Sequence, residues 1–457
     1  MTKSNTMIND LTQGPLASKL IRFSLPFMLG NLLQTLYTIV DLAVVGQFVG
    51  STGLSAVSIS GQITILMYSA GVGLGNGGQI FIAQQVGAKD YDGIQRSVGT
   101  LLTFCGICSI IIAAIGIIFC KPILNLLNTP AEAMEQAVSY FVICCIGIPF
   151  TYGYGSLSCI LKGMGDSTRP MLFIAIAALT NVVLDLFFVV VIPLESAGAA
   201  IATVISQIIS FVFAFVYLYK RREAFGFDFR LKSFAIHKKT LGIIAKLSTP
   251  LIFMSVSINV SMLYINSYIN DYGLVASSVA GVGSKLYSLM NIVTGATQSA
   301  VASCVGQNMG AGKMDRVKKS VFIAIGLCLA FFAVVGTLCL VCPKALFGIF
   351  SSDPEVLDMA VDYMFVSFWL YLAFSLMAPP LGFLNGIGFT SMNMVVAILD
   401  GVVARIGLSL LMGITLNMGL PGFWWGNALA GYISVIIPGI YFLSGKWKTR
   451  KLISANI

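Results

Sequence analysis

The segment that most constrains this chain is the apolar run between Arg169 and Pro193, because it contains a single carboxylate. About 20 apolar residues are enough for a helix that crosses the hydrocarbon layer of a membrane. Asp185 lies inside this run, and Asn181 precedes it by one helical turn on the same face. Intramembrane acids are costly and usually functional, so the pair predicts a site for a proton, an ion or a ligand. The alternative is a hydrogen bond that only ties two helices together.

The composition excludes a soluble chain and predicts an all-α membrane protein. Hydrophobic residues make up 57% of the sequence and charged residues 10%, whereas soluble domains are about 25% charged. The net charge of +9 lies mostly between the apolar runs, so it does not indicate nucleic-acid binding. The ten cysteines lie within or at the ends of apolar runs, and the only histidine, His237, lies in a polar segment. Neither a transition-metal site nor a cofactor is expected.

The second half of the chain repeats the first with an offset of 223 to 224 residues. The motif that ends at Pro26 recurs at Pro250, and the loop at 83–98 aligns with the loop at 306–321. Each copy contains about six apolar runs, so we predict about 12 transmembrane helices in two six-helix bundles related by pseudo-two-fold symmetry. The predicted domains are an N-lobe at 1–219, a cytoplasmic linker at 220–240 and a C-lobe at 241–457.

The basic residues predict the orientation in the membrane. Of the 27 lysines and arginines, only Lys121 and Lys344 fall in predicted outer loops, and Lys285 and Arg405 fall within apolar runs. The others lie in the terminal segments, the predicted inner loops and the linker. Because cytoplasmic segments are rich in Lys and Arg, we predict a multi-pass protein of the cell membrane with both termini in the cytoplasm.

The first apolar run carries a polar stripe of Gln34, Thr38 and Asp41, which are spaced i, i+4 and i+7. At 1.5 Å per residue, Asp41 and Asp185 lie about 28 Å and about 24 Å beyond the basic residue that precedes each run. Both acids are therefore expected at similar depth in the outer half of the membrane. Pro26 removes one helical hydrogen bond and is a candidate hinge.

The second half lacks both acids, because the aligned positions hold Leu408 and either Tyr264 or Ile265. Its apolar runs carry charges at other places, namely Lys285, Asp400 and Arg405. The last two are five residues apart, too far round an ideal α-helix to face each other, so each could find its partner on another helix. A structural role is favoured for this group, since opposite charges in a membrane tend to pair.

Several segments together resemble the multidrug and toxic compound extrusion (MATE) family. They are VDxxVVG around Asp41, the AQQVGAKD loop, LKGMGDSTRP at 161–170, TNVVLD at 180–185 and GAAIAT at 198–203. The similarity covers nearly the whole chain. It implies a secondary antiporter with two six-helix lobes and a V-shaped central cavity, which expels amphipathic, often cationic compounds in exchange for protons or sodium ions.

The resemblance also implies a cation-coupling site in the N-lobe, formed by Asp41, Asn181, Asp185 and Thr203, with Na⁺ as the one metal ion that it could hold. A substrate cavity is predicted at Gln34, Tyr37, Thr38, Gln207, Lys285, Asp400 and Arg405. Some members of the family bind their coupling ion through acids on the seventh and tenth helices of the C-lobe. Here neither the seventh run, at 241–269, nor the tenth, at 364–383, contains an acid. The prediction is therefore concentrated on the N-lobe.

The function predicted from the sequence is multidrug efflux, which contributes to antibiotic resistance. The expected partners are small-molecule drugs or organic cations and the lipid bilayer, and the chain is expected to act as a monomer. The alternative is a lipid-linked oligosaccharide flippase of the same superfamily, although only Lys285 and Arg405 are available within the spans to meet an anionic cargo. An enzyme is not expected, because the apolar runs contain no histidine and no HExxH motif.

Overall fold

The computed structural model describes residues 7–127 and 129–450, and its regular structure in this part of the chain is helical. The first half of the described chain contains six long helices: α1 (Leu16–Phe48), α2 (Ser51–Ala88), α3 (Tyr91–Ile118), α4 (Ala131–Gly163), α5 (Thr168–Val191) and α6 (Glu195–Lys220). The second half contains six more: α7 (Lys238–Asn270), α8 (Leu274–Gly310), α9 (Met314–Val341), α10 (Pro354–Gly386), α11 (Thr390–Thr415) and α12 (Leu420–Leu443).

The helices have the length and surface of membrane spans. Within residues 7–127 and 129–450, eleven helices are long and apolar enough to cross a membrane. Large apolar side chains such as Leu179 and Ile110 remain exposed, as expected for a lipid-facing surface. The long helix outside this set is α8, which exposes Lys285 beside Ser284 and Ser288. The predicted all-α membrane fold with about 12 spans is confirmed.

Local sequence signals explain where several helices begin. Asp90, in the AQQVGAKD loop, precedes α3, and its Oδ1 accepts a hydrogen bond of 2.8 Å from the backbone N–H of Gly93. Asp353 precedes α10 in the same way and accepts from the N–H of Glu355 at 3.0 Å, with Pro354 in the first turn. A carboxylate at this position satisfies a backbone donor that the helix leaves free.

The chain divides into two compact units whose boundaries fall beside the repeated prolines. One unit contains Leu25–Thr249 and the described residues before Leu11; the other contains Leu11–Ser24 and the described residues from Pro250 onward. The first turns of α1 are thus counted with the second unit, and the first turns of α7 with the first. Among the spans of each unit, α4 and α10 are the most buried. The sequence-based boundaries at 219 and 241 stay a prediction.

Two of the helices that carry intramembrane charges are not regular α-helices throughout. In α5 the α-helix ends at Asp185, and a π-helical segment follows at Leu186–Val191. In α11 there are two π-helical segments, Ile398–Ile406 and Leu411–Thr415. A π-helix forms hydrogen bonds between residues five apart and often marks a functional site. The irregular backbone therefore coincides with the charges that the sequence singles out.

Candidate functional site

The two acids of the first half lie in one buried region of the first unit. Asp41 on α1 is 7% exposed, and Asp185 on α5 is 0% exposed. The two carboxyls interact electrostatically, which places them in the same part of the unit. Among the described residues, Asp41 Oδ1 and both carboxyl oxygens of Asp185 are buried and accept no hydrogen bond from the protein. These oxygens are free to bind a proton or a cation.

Asn181 and Thr203 are directly connected. Asn181 Nδ2, on α5, donates a hydrogen bond of 3.4 Å to Thr203 Oγ1, on α6. Because the amide nitrogen points at Thr203, the amide oxygen is oriented elsewhere, and Asn181 Oδ1 is buried with no donor among the described residues. The structure thus brings together these two predicted site residues, and it adds an amide oxygen to the unbonded carboxyl oxygens of the unit.

The surroundings of the acids are apolar. A buried hydrophobic cluster combines Val44 and Val45 of α1, Tyr140 of α4 and Val189 of α5 with residues of α2 and α6. Tyr140 also interacts electrostatically with Asp41, so this cluster borders the acid site. An uncompensated charge is very unfavourable in such a medium. The site is therefore most stable when a proton or a bound cation neutralises its carboxylates.

The donor set suits a hard cation. Two carboxyls, one amide oxygen and one hydroxyl are oxygen ligands, which suit cations without a preference for nitrogen or sulfur. Within residues 7–127 and 129–450, no group of three or more His, Cys, Asp or Glu side chains could hold a metal ion. Carboxyl, amide and hydroxyl oxygens of this kind can accept a proton or contact a hard cation.

The polar stripe on α1 lies beside this site and has both buried and exposed members. Gln34 and Thr38 are exposed, and Thr38 Oγ1 donates to the carbonyl of Gln34 at 2.9 Å. Tyr37 is half-buried and interacts electrostatically with both acids. Gln207 on α6 is held by Thr151 Oγ1, which donates to its side-chain oxygen. Gln34 and Thr38 are thus accessible side chains on the helix that carries Asp41.

The charges of the second unit form a buried ion pair, in which Arg405 Nε has no hydrogen-bond partner among the described residues. Arg405 Nη2 donates to Asp400 Oδ1 at 2.8 Å, and both residues are buried. The sequence-based expectation that residues five apart cannot face each other was wrong, because Ile398–Ile406 is π-helical and residues five apart lie one above the other on a π-helix. The structure places the two residues in a buried ion pair instead of on an exposed cavity surface.

Sequence reasoning missed three side chains that surround this pair. Ser434 Oγ on α12 donates to Asp400 Oδ2 at 2.6 Å. Arg405 Nη1 donates to Asn427 Oδ1 on α12 and lies 3.9 Å from Met262 Sδ on α7. Nothing in their local sequence identifies them, since a serine, an asparagine and a methionine are common inside membrane helices. Their signal is their position in the repeat, which becomes visible only when the register is known.

Two further predicted residues make no hydrogen bond or ion pair with either charged centre among the described residues. Lys285 is exposed on α8, and none of the four ion pairs found among the described residues includes it. Pro26 lies inside α1, which continues without interruption from Leu16 to Phe48. It is also the second residue of the segment Leu25–Thr249, which begins where the chain passes from the second compact unit to the first.

Comparison with known proteins adds an independent finding about the whole chain. The MatE family model matches it twice, at residues 26–187 and again at 250–411. The two matches have the same length and begin at the repeated prolines, Pro26 and Pro250. The duplication detected in the sequence is therefore also the unit that the family model describes.

Curated relatives and solved structures cover nearly the same length. The chain is 29% identical over 447 residues to the probable multidrug resistance protein YpnP of Bacillus subtilis, with 97% of this chain and 98% of that protein covered. It is 25% identical to the multidrug export protein MepA of Staphylococcus aureus, with 93% and 90% covered. An outward-facing multidrug resistance MATE family transporter of the MOP superfamily has a TM-score of 0.90 at 21% identity, with 97% and 98% covered.

Proposed function

The chain belongs to the MatE family of multidrug and toxic compound extrusion transporters, and from this premise we propose that it exports amphipathic, often cationic compounds in exchange for protons or sodium ions. Members of this family are transporters and not enzymes. The chain is a multi-pass membrane protein. We further propose that it lies in the cell membrane as a monomer with both termini in the cytoplasm, which is the orientation that its basic loops favour.

The observation that supports ion coupling is the set of unbonded oxygens in the first unit. Asp185 has two buried carboxyl oxygens without a hydrogen bond, and Asp41 and Asn181 add one each. A site that served only to tie helices together would use these acceptors in hydrogen bonds. Buried acceptors without a donor instead favour a ligand that arrives and leaves during the transport cycle.

In the proposed cycle, this site binds and releases one positively charged coupling ion. Burial and mutual repulsion disfavour the state in which Asp41 and Asp185 are both charged and empty. A proton or a sodium ion from outside neutralises the site, with Asn181 and Thr203 as additional oxygen ligands. The change in charge alters which helix packing is preferred, and Pro26 gives α1 a place to bend. The cationic compound is released as the coupling ion enters.

We place the substrate-contacting surface near the accessible part of the polar stripe on α1. Gln34 and Thr38 are exposed, and Tyr37 lies between them and the acids. Gln207 is a further proposed contact in the first unit, where it is half-buried on α6, and Lys285 is proposed separately in the second unit, where it is exposed on α8. Asp400 and Arg405 are not included, since they are buried and bound to each other.

The decisive experiment is dye efflux from proteoliposomes that contain the purified chain. A fluorescent cationic dye is loaded, and a pH gradient and a sodium gradient are imposed in separate preparations. We expect efflux to follow one of the two gradients and to stop when that gradient is collapsed. Efflux that is indifferent to both gradients would remove ion antiport from the proposal. Absence of dye transport, combined with movement of a lipid-linked sugar, would favour the flippase instead.

A further inference from the structure

The register between the two halves changes by one residue within α11. At the start of the helix, Met171 aligns with Met394 at an offset of 223. Further along, the backbone N–H of Leu194 donates to the carbonyl of Phe188 at 2.9 Å, and that of Met418 donates to the carbonyl of Met412 at 3.1 Å. This second correspondence has an offset of 224. The second half therefore contains one additional residue between these points.

Two further pairs of contacts confirm the offset of 224 beyond that point. The N–H of residue 192 donates to the carbonyl of residue 187 at 3.0 Å, and the N–H of residue 416 donates to that of residue 411 at 2.8 Å. Gly198 lies so close to the backbone of Phe188 that no Cβ would fit, and Gly422 lies equally close to the backbone of Met412. The two helix connections are thus built alike, residue by residue.

The additional residue is accommodated by the π-helical segment Ile398–Ile406. A π-helix takes up one more residue per hydrogen-bonded turn than an α-helix, so it can absorb an insertion without turning the rest of the helix. The corresponding part of the first half is the α-helix Thr168–Asp185. The insertion also brings Asp400 onto the same face as Arg405, because the two are five residues apart.

With this register, the ion pair of the second half occupies the place of the cation site in the first. Asn181 corresponds to Arg405, and Thr203 corresponds to Asn427, both at 224. The contact between them is repeated as well: Asn181 Nδ2 donates to Thr203 Oγ1, and Arg405 Nη1 donates to Asn427 Oδ1. A guanidinium therefore lies where the first half has a neutral amide.

The acids of the first half have no acidic counterpart in the second. Asp185 corresponds to Ser409, one residue beyond the position that the sequence offset of 223 selects, and Asp41 corresponds to Ile265. Both counterparts are buried, and Ser409 Oγ donates to the carbonyl of Phe423 at 3.3 Å. Asp400 supplies the only carboxylate that the described structure brings to Arg405.

We propose that the Arg405 guanidinium is a tethered internal cation, which permanently fills in the second half the place that an exchangeable coupling ion takes in the first. Asp400 is then a latent cation site that Arg405 keeps occupied, and only the first half exchanges an ion. The inference about Arg405 and Asp400 rests on the repeat register and the ion pair, whereas its comparison with coupling rests on the proposed function.

The contacts around the pair agree with a filled site. Both Asp400 oxygens are used, one by Arg405 and the other by Ser434, in contrast to the free oxygens of Asp185. From the other packed helices, Asn427, Met262 and the phenol of Tyr287 face the pair, the last through electrostatic interaction with both charges. Among the described residues, no hydrogen bond or ion pair brings a further acid or base to it. The positive charge that balances Asp400 is therefore that of Arg405.

The experiment asks whether removal of the tethered charge uncovers an ion site. It uses the full chain with Asp41→Asn and Asp185→Asn, so that the first half cannot respond. Binding is measured as ²²Na⁺ retained per purified chain and as protons taken up after a small pH drop. This background is expected to bind no sodium ion, and its proton uptake gives the baseline set by the remaining acidic side chains and His237. Ion binding that persists in it would contradict the proposed function and not the inference on Arg405.

Arg405→Gln is then added to this background. We expect uptake of about one ion or proton per chain more than in the background, because Asp400 loses its partner and must be neutralised from outside. Arg405→Lys keeps a tethered cation and should restore the empty result, and the double change Asp400→Asn with Arg405→Gln should do the same. Equal uptake by the Gln and Lys variants would overturn the proposal.

The folding of these variants is itself informative. If Arg405→Gln alone fails to insert while the neutral double change inserts normally, Asp400 requires a cation for folding, which supports the proposal. If the neutral double change also fails to insert while Arg405→Lys inserts, Arg405 serves the fold through contacts other than Asp400. That result would overturn the assignment.

Discussion

The two halves of this chain share one repeated helical frame but treat buried charge in opposite ways. In the first half, Asp185 is completely buried and uses neither carboxyl oxygen in a hydrogen bond within the described structure. In the second, Asp400 uses both, with Arg405 and Ser434 as donors. The comparison shows that the shared frame does not determine the charge balance of a site, because a few side chains on the same helices decide whether its carboxyl oxygens are hydrogen-bonded.

The largest effect is expected when the carboxylate of Asp185, whose oxygens accept no hydrogen bond in the described structure, is removed. Asp185→Asn should abolish gradient-driven dye efflux, a fall of at least about 100-fold, because the variant keeps its shape but cannot carry an exchangeable charge. Insertion and thermal unfolding should be unchanged. Asp362→Asn, which alters an exposed acid on α10, is the matched control and should transport normally. Retained efflux in the inserted Asp185 variant would remove this carboxylate from the mechanism.

Removal of the carboxylate of Asp400, which is paired with Arg405, should instead lower the stability of the fold. Asp400→Asn leaves Arg405 buried without a counter-charge, which typically costs about 3–5 kcal/mol of stability. Arg405→Gln should cost less, because a carboxyl can take up a proton whereas a guanidinium cannot lose one. Thermal unfolding of both variants in the same detergent measures the difference. Equal losses for the two variants would contradict the interpretation of the pair as a cation fixed on an acid.

The two neutral residues of the proposed cation site, Asn181 and Thr203, should give a smaller effect. Asn181→Ala and Thr203→Val should each raise the concentration of coupling ion that gives half-maximal efflux about 10-fold, equivalent to one hydrogen bond or ligand oxygen. Maximal efflux at saturating ion should be retained, since both carboxyls remain. Asn291→Ala, at an exposed asparagine of α8, serves as the control. A loss of maximal efflux without a change in ion dependence would argue for a purely structural role.

The smallest expected effect concerns two serines at equivalent positions of the two halves, Ser434 and Ser210. Ser434 donates to the charged Asp400, whereas its counterpart Ser210 donates to the backbone carbonyl of Phe173 at 3.2 Å. Hydrogen bonds to charged groups are about twice as strong, so Ser434→Ala should lower the free energy of unfolding by about 1 kcal/mol and Ser210→Ala by about half of that. Chemical unfolding of both variants measures the two values. A larger loss at Ser210 would contradict the comparison.

Much of the architecture could be predicted from the sequence, because the length and spacing of apolar runs directly reflect the bilayer. The helices, the duplication and the position of Asp185 within a span follow from that constraint. The spacing of Asn181 and Asp185 also defines a shared face, since an α-helix repeats every 3.6 residues. Contacts between helices, such as that of Asn181 with Thr203, could be inferred only by resemblance.

The pairing of Asp400 with Arg405 in the second half could not be predicted in this way. The prediction that Asp400 and Arg405 would not face each other assumed α-helical geometry throughout α11, and hydrophobic periodicity does not reveal a local π-helix. The reason becomes visible when sequence and structure are combined, because the repeat offset is 223 at Met394 in the sequence and 224 at Gly422 in the backbone contacts. An insertion inside a continuous helix must be accommodated by its backbone, and here it changes which side chains meet.

The π-helical segment Ile398–Ile406 also has a meaning for how duplicated transporters diverge. A single additional residue in the second half is accommodated within this nine-residue segment, so the helix connection beyond it keeps the same backbone contacts as in the first half. The polarity of the side chains at one depth can therefore change while both halves keep the same fold. A local change of helical pitch is therefore enough to bring different side chains together at one site without a new fold.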